Sequence, residues 1–261
     1  MKIKLLAFVA ALALANITGA HAEDLKLIQD GKLMIATEGT YPPFSMQSPT
    51  GELDGLEIRV MKEVAKRIGL TYEPVVTKWD SLLVGLAANQ YDGISAAMDI
   101  TPERQKAILF SDGWLESGGR IVTLEGSDIK SAADLKGKTV GALVASTWFT
   151  LADGMGASVK GYKSESDGVQ DLANGNIDAV ITDAVAAGYA IKTAHLPLVM
   201  TEDYVSHVQK GFAFNKDRGE LVAKINKALA DMIADGTYAK LTTDLVGFDP
   251  HPAEPIRSML Q

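Results

Sequence analysis

From Lys32 onward, short apolar runs alternate with longer runs of helical period: LMIAT, then LEIRVMKEVAKRIG, YEPVVT, DSLLVGLAANQ and DGISAA. Parallel neighbours in a sheet need a crossover between them, usually a helix, so this alternation predicts βαβ units and a mainly parallel sheet. After Gly118-Gly119 the pattern restarts with RIVTLE, SAADLKG, TVGALV, a helix from Thr147, VKGYKS, DGVQDLANG, IDAVIT and AVAAGYAIKTA. Two α/β units therefore follow one another. From Lys216 the chain is helical, with Leu221, Ile225, Leu229 and Ile233 at four-residue steps. No strand series follows, so this segment is expected to pack back on the first unit. LAANQYDGIS and LANGNIDAVIT echo each other as helix end, turn and buried strand, running out at Asp99 and at Asp183. Open α/β sheets bind ligands beyond the carboxyl ends of their strands. Both acids are then expected to face a shared cleft, although helix–turn–strand units resemble one another for structural reasons alone.

The first 22 residues read as a secretory leader: Lys2 and Lys4, an apolar run from Leu5 to Ala15, then Ala20-His21-Ala22. No later run approaches the roughly 20 apolar residues of a membrane helix, so an exported, soluble chain beginning at Glu23 is expected. There is no cysteine among the 261 residues, which excludes disulfides and lipid attachment at a cysteine. The expected location is the periplasm. The leader carries two lysines and no acid, so its removal takes the net charge from −8 to −10. That balance argues against nucleic acid, which needs a concentrated basic surface.

His21, His195, His207 and His251 are scattered without zinc-site spacing, so no metal is expected. GMGASVKG lacks both the dinucleotide fingerprint and a phosphate-loop lysine, and no GxSxG elbow occurs. No cofactor and no catalytic residue are proposed from the sequence. One placement is unusual: in MDITPERQKAILFS, Thr101 and Pro102 open a helix directly before Arg104. A cation in a first helical turn is mildly unfavourable unless amides and guanidinium share an anion, and a small carboxylate satisfies both.

TEGTYPPF, GELDGLEIRVMKEVAKRIG, WDSLLVGLAANQYDGI, MDITPERQKAILFSD, SDIKSAADLKGKTVGAL and NGNIDAVITD occur in the order and spacing of the family 3 periplasmic solute-binding proteins. The chain resembles the polar amino-acid receptors of ABC importers from about Lys32 to Phe248. The resemblance implies a two-lobed periplasmic binding protein fold, each lobe a mainly parallel sheet flanked by helices. Lobe 1 is then residues 23–115 and 211–261 and lobe 2 residues 116–210, joined by crossing strands near 116–119 and 206–211. It implies a monomer that is not an enzyme, a small amino-acid ligand and an inner-membrane ABC permease as partner.

By the same resemblance Arg104 holds the ligand α-carboxylate, Thr147 completes that clamp from the second lobe, and Asp183 accepts the ligand ammonium. Tyr41 and Trp79 match the aromatic positions that sandwich the ligand side chain. Plain helix capping by Thr147 and Asp183, and plain core packing by the aromatics, are the alternative roles. Glu38 stands where relatives that take basic amino acids often carry an acid, and Asp99 where many have Ser or Thr. Counting Glu38, Asp99 and Asp183 against Arg104 alone leaves the cleft near −2, which favours a cationic ligand, arginine first. Ala96-Ala97 replaces a common Ser or Gly pair, Val144-Ala145 stands where Gln-Gly is frequent, and Trp148 replaces a polar residue. These changes, Ala97 included among the ligand-facing positions, keep open an opine or other amino-acid derivative. A periplasmic cyclohexadienyl or arogenate dehydratase and a sensory module are the remaining readings. The Pro-rich tail FDPHPAEPIRSMLQ is expected to be partly disordered.

Overall fold

The computed structural model describes residues 25–260; the leader read over residues 1–22 lies outside them. Two mixed sheets carry the fold. The first runs Thr71–Val76, Lys32–Thr37, Gly93–Ile94, Ala213–Phe214, Leu109–Phe110. Its first two pairings are parallel, and Ala213–Phe214 is antiparallel to both of its neighbours. Helix Leu56–Arg67 turns Val60, Met61, Val64 and Ala65 inward, the spacing of one helical face. It shares its core with Leu33 and Ile35 of the sheet and with Leu221, Ile225 and Leu229 of helix Gly219–Ala234. The C-terminal helices thus pack on the first sheet.

The second sheet runs Ser158–Tyr162, Thr139–Leu143, Ala179–Asp183, Leu115–Leu124, Leu198–Met200. The expected parallel character holds for its first three strands. Leu115–Leu124 departs from it, because the chain enters this sheet directly from the first one and is met by strands running back; all three of its partners are antiparallel. One of them, Ser206–Lys210, pairs along the first half of that strand, from Ser206 opposite Gly119 to Lys210 opposite Leu115. This two-stranded ribbon leads from one sheet to the other.

The Pro-rich tail is not loose. It lies along the ribbon: Pro250 O accepts from Glu116 N at 2.9 Å, Glu254 O from Gln209 Nε2 at 3.0 Å, and Ile256 N donates to Gln209 Oε1 at 2.7 Å. Arg257 and Ser258 both reach Asp112 at 2.7 Å. The tail's backbone finds partners on the ribbon edge, which is why its proline content does not leave it unstructured. No described helix is long and apolar enough to cross a membrane.

Candidate functional site

The cleft between the sheets is built from loops at strand ends. After Gly93–Ile94 the chain passes Ala97, held at φ 44°, and reaches Asp99, whose backbone bridges to Lys210. Thr101 caps helix Pro102–Ala107, its hydroxyl accepting from Arg104 N at 3.2 Å. That cap fixes the Arg104 backbone, and the guanidinium folds back so that Nη1 donates to Asp99 O at 3.0 Å. Its carbon lies 5.4 Å from the centre of the Trp79 ring, a cation–π arrangement. Burial pulls its pKa down against the pull of Asp99; a guanidinium nonetheless stays charged.

On the opposite wall, Ser146 caps helix Thr147–Gly154, and the Thr147 hydroxyl donates to Asp99 Oδ2. Asp183 ends strand Ala179–Asp183 and caps helix Ala184–Ala194. Its Oδ1 accepts from Ser117 Oγ at 2.7 Å and from Val185 N at 2.9 Å. The capping role and a cleft-facing position therefore coexist in Asp183, whereas the cap considered for Thr147 is made by Ser146, one residue earlier, and Thr147 opens the helix facing Asp99.

Between the walls lies a residue the sequence reading passed over. Lys210 is 1 % exposed, with its ammonium 2.5 Å from Asp99 Oδ1 and 2.8 Å from Asp183 Oδ2. The rings of Trp148 and Phe44 lie 5.1 and 5.8 Å from it. Burial alone would lower the pKa of this lysine, but Asp183 and Asp99 outweigh it and hold the value above the ordinary one. Nothing local marks it in the sequence, since lysine is almost never buried unless paired and its two partners lie far away along the chain. Trp148, which stands where the resemblance has a polar residue, has its space made by Gly119, where a Cβ would lie 2.6 Å from the indole.

Tyr41, Trp79, Ala97, Asp99, Arg104 and Thr147 line one cavity of about 10 Å³, closed by Trp148 and Lys210. Asp183 reaches it through Lys210. Glu38 is buried off its wall, and burial first, then the charges of Glu57, Glu165 and Asp80, push its carboxyl up to about 8. Glu57 is also pushed up to about 8 by burial, against a 2.5 Å hydrogen bond from the Thr37 hydroxyl. Glu165 is raised by burial to about 7. The charge count made from sequence is corrected accordingly. Glu38 is protonated at neutral pH and Lys210 adds a cation, so Asp99 and Asp183 face Arg104 and Lys210 in balance rather than leaving an excess near −2.

Beyond Tyr41 lies a second cavity of about 230 Å³, lined by Tyr41, Glu165, Thr182, Ala186, Ala187 and Tyr189 among others. Both Glu165 carboxyl oxygens and the Tyr41 hydroxyl are buried without a hydrogen-bond partner. Glu57, Glu165 and Lys210 were all missed from sequence. Among the described residues no group of three or more His, Cys, Asp and Glu is placed to hold a metal ion.

Residues 33–247 match the bacterial extracellular solute-binding proteins, family 3. The chain is similar to the L-cystine-binding protein TcyJ of Escherichia coli (strain K12), 33 % identical over 228 residues, 86 % of each chain. It is 35 % identical over 231 residues to the histidine-binding periplasmic protein of Salmonella typhimurium, covering 84 % of this chain and 88 % of that one. Among solved structures, an ancestral arginine-binding protein bound to glutamine superposes with a TM-score of 0.79 at 37 % identity, over 84 % of this chain and all of that one.

Proposed function

Because the chain belongs to the bacterial extracellular solute-binding proteins, family 3, we propose that it is a periplasmic receptor, not an enzyme, that captures one amino acid or amino-acid derivative with a cationic side chain, arginine-type first, and delivers it to an ABC importer in the inner membrane. The observation that carries this reading is Arg104. Its guanidinium is stacked on Trp79 and bonded to a backbone carbonyl rather than to a carboxylate side chain, in a cleft that Thr147 closes from the other side. A planar guanidinium suits a carboxylate, which it can hold through two parallel hydrogen bonds.

The 10 Å³ cavity is far smaller than an amino acid, so binding requires the walls to part and close again. Residues 23–115 with 211–261 form one proposed lobe and residues 116–210 the other, and the ribbon of Leu115–Gly119 with Ser206–Lys210 is the proposed hinge. A cationic side chain is compatible with the corrected charge balance because Glu165, on the wall of the larger cavity, is raised to about 7 and holds a proton that such a side chain can displace. The L-cystine- and histidine-binding relatives and the arginine-binding neighbour support the ligand class. Trp79 and Tyr41 are proposed to flank the ligand side chain, and Ala97 to face it.

Calorimetry on wild type and Arg104→Ala tests this. Losing one partner of a buried, hydrogen-bonded charge pair costs about 2–5 kcal/mol. Binding of an arginine-type ligand is expected to weaken at least about thirtyfold, the lower end of that range. Equal affinity of the two proteins would remove Arg104 from the clamp.

A further inference from the structure

Lys210 sits in the place that an amino-acid ligand's ammonium would take. Its backbone is fixed by pairing with Leu115 on one side and Asp99 on the other. The ammonium is shared by two carboxylates, one from each wall of the cleft. Asp183 is further occupied by Ser117 and Val185, and Asp99 by Thr147. Leaving this seat would strip the lysine of both carboxylates and leave two buried acids uncompensated, which is strongly disfavoured. An ammonium has three N–H donors. One is donated to Asp99 Oδ1, Asp183 Oδ2 lies 2.8 Å away as an ion-pair partner, and the rings of Trp148 and Phe44 are its apolar neighbours.

A second observation concerns space. Thr182 and Ala186, which flank Asp183 in sequence and on the following helix turn, line the 230 Å³ cavity beyond Tyr41. Tyr41 is common to that cavity and to the small one at Arg104. A group attached to the ligand nitrogen and reaching past Tyr41 would lie among the alanines of helix Ala184–Ala194, close to the unpartnered Glu165.

We propose that Lys210 is a specificity-determining residue that keeps the ammonium seat between Asp99 and Asp183 and donates a remaining N–H to the ligand, which is therefore an N-acyl amino acid rather than a free one. The ligand carboxylate lies on Arg104, the acyl carbonyl accepts from Lys210, and the remainder of the acyl group enters the cavity beyond Tyr41. The inference rests on the receptor reading given above and narrows its ligand. An acyl group can derive from a simple acid or from a preceding amino acid; the carbonyl acceptor is common to both.

The test is calorimetry on the wild-type protein, refolded to strip carried-over ligand, with the common free amino acids, their Nα-acetyl forms and their Nα-glycyl forms. The acylated member of at least one series is expected to bind tenfold or more tightly than its free parent. An acetyl preference assigns the substituent to a simple acid, and a glycyl preference to a peptide whose ammonium reaches Glu165. In Lys210→Ala the order is expected to reverse, with the free amino acid gaining and the acylated one losing. If wild type binds a free amino acid as tightly as its acylated forms or more tightly, the inference fails and the receptor reading stands. Binding in no series would overturn both. Should Lys210→Ala not fold, the wild-type ranking decides alone.

Discussion

Three buried glutamates hold protons that water would strip from them. Burial raises Glu38 and Glu57 to about 8 and Glu165 to about 7 from an ordinary 4.5. A carboxyl whose folded pKa lies above its unfolded one favours the folded state most below the unfolded value. That contribution is lost as pH rises through the folded value. The ligand-free protein is therefore expected to lose stability between about pH 5 and pH 9, with each 1 kcal/mol lost lowering the midpoint by roughly 2–4 °C at this size. Glu57→Gln should flatten the slope, and melting curves across that range check it; an unchanged slope would show that Glu57 is ionised in the fold. A cationic ligand should release protons on binding, so its affinity should rise with pH over the same window, which calorimetry in buffers of different ionisation enthalpy reads directly. The positions of Arg104, Thr147, Asp99 and Asp183 in the cleft were legible in the sequence because each stands close to a local landmark, a helix start for the first two and the run-out of a strand for the acids. Lys210 was not: its burial depends on a strand returning from residue 206, and no local pattern announces where that strand's side chains go.

At the level of elements, the alternation of strand and helix was readable because side-chain period is set locally. The antiparallel return onto Leu115–Leu124 was not, since pairing direction depends on the path of the chain. Turn chemistry decides two positions. Gly55 opens helix Leu56–Arg67 at φ 133°, and a Cβ there would lie 2.3 Å from the Phe44 carbonyl oxygen. The same junction ties the loop behind Tyr41 to the helix, through Leu56 N to Pro43 O at 2.8 Å and Glu57 N to Phe44 O at 3.1 Å. Gly55→Ala is expected to cost at least about 2 kcal/mol, by strain at a special backbone position, and to loosen Tyr41. Denaturant unfolding measures it, and a cost below about 0.5 kcal/mol would mean that the loop yields freely. Thr101→Ala should cost about 1 kcal/mol, the usual worth of such a cap. By freeing the Arg104 backbone it should weaken ligand binding as well; a stability loss with unchanged affinity would show that the side chain of Arg104 is positioned independently of the cap.

Across the whole molecule, the connection between the two sheets carries an addition outside the family match. Residues 33–247 match the family, whereas the strap over the ribbon begins at Asp249. It holds Glu116 and Gln209, one from each ribbon strand, and its Pro250 is buried. Truncation after Phe248 is expected to expose those ribbon groups, each lost hydrogen bond being worth about 0.5–1.5 kcal/mol. It should also ease the motion by which the proposed lobes part, seen as a lower melting midpoint with faster ligand release. An unchanged midpoint and an unchanged release rate would make the strap a passive appendage.

The proposed function stands or falls on whether the cleft at Arg104 receives an amino-acid-type carboxylate. A thermal-shift screen of the refolded protein against free amino acids and their Nα-acylated forms tests this. A ligand present at a hundred times its dissociation constant adds about 2.7 kcal/mol of stability. A shift is expected for one structurally related group of these carboxylates, abolished by Arg104→Ala. A flat response across the panel, or a shift that survives Arg104→Ala undiminished, would contradict it.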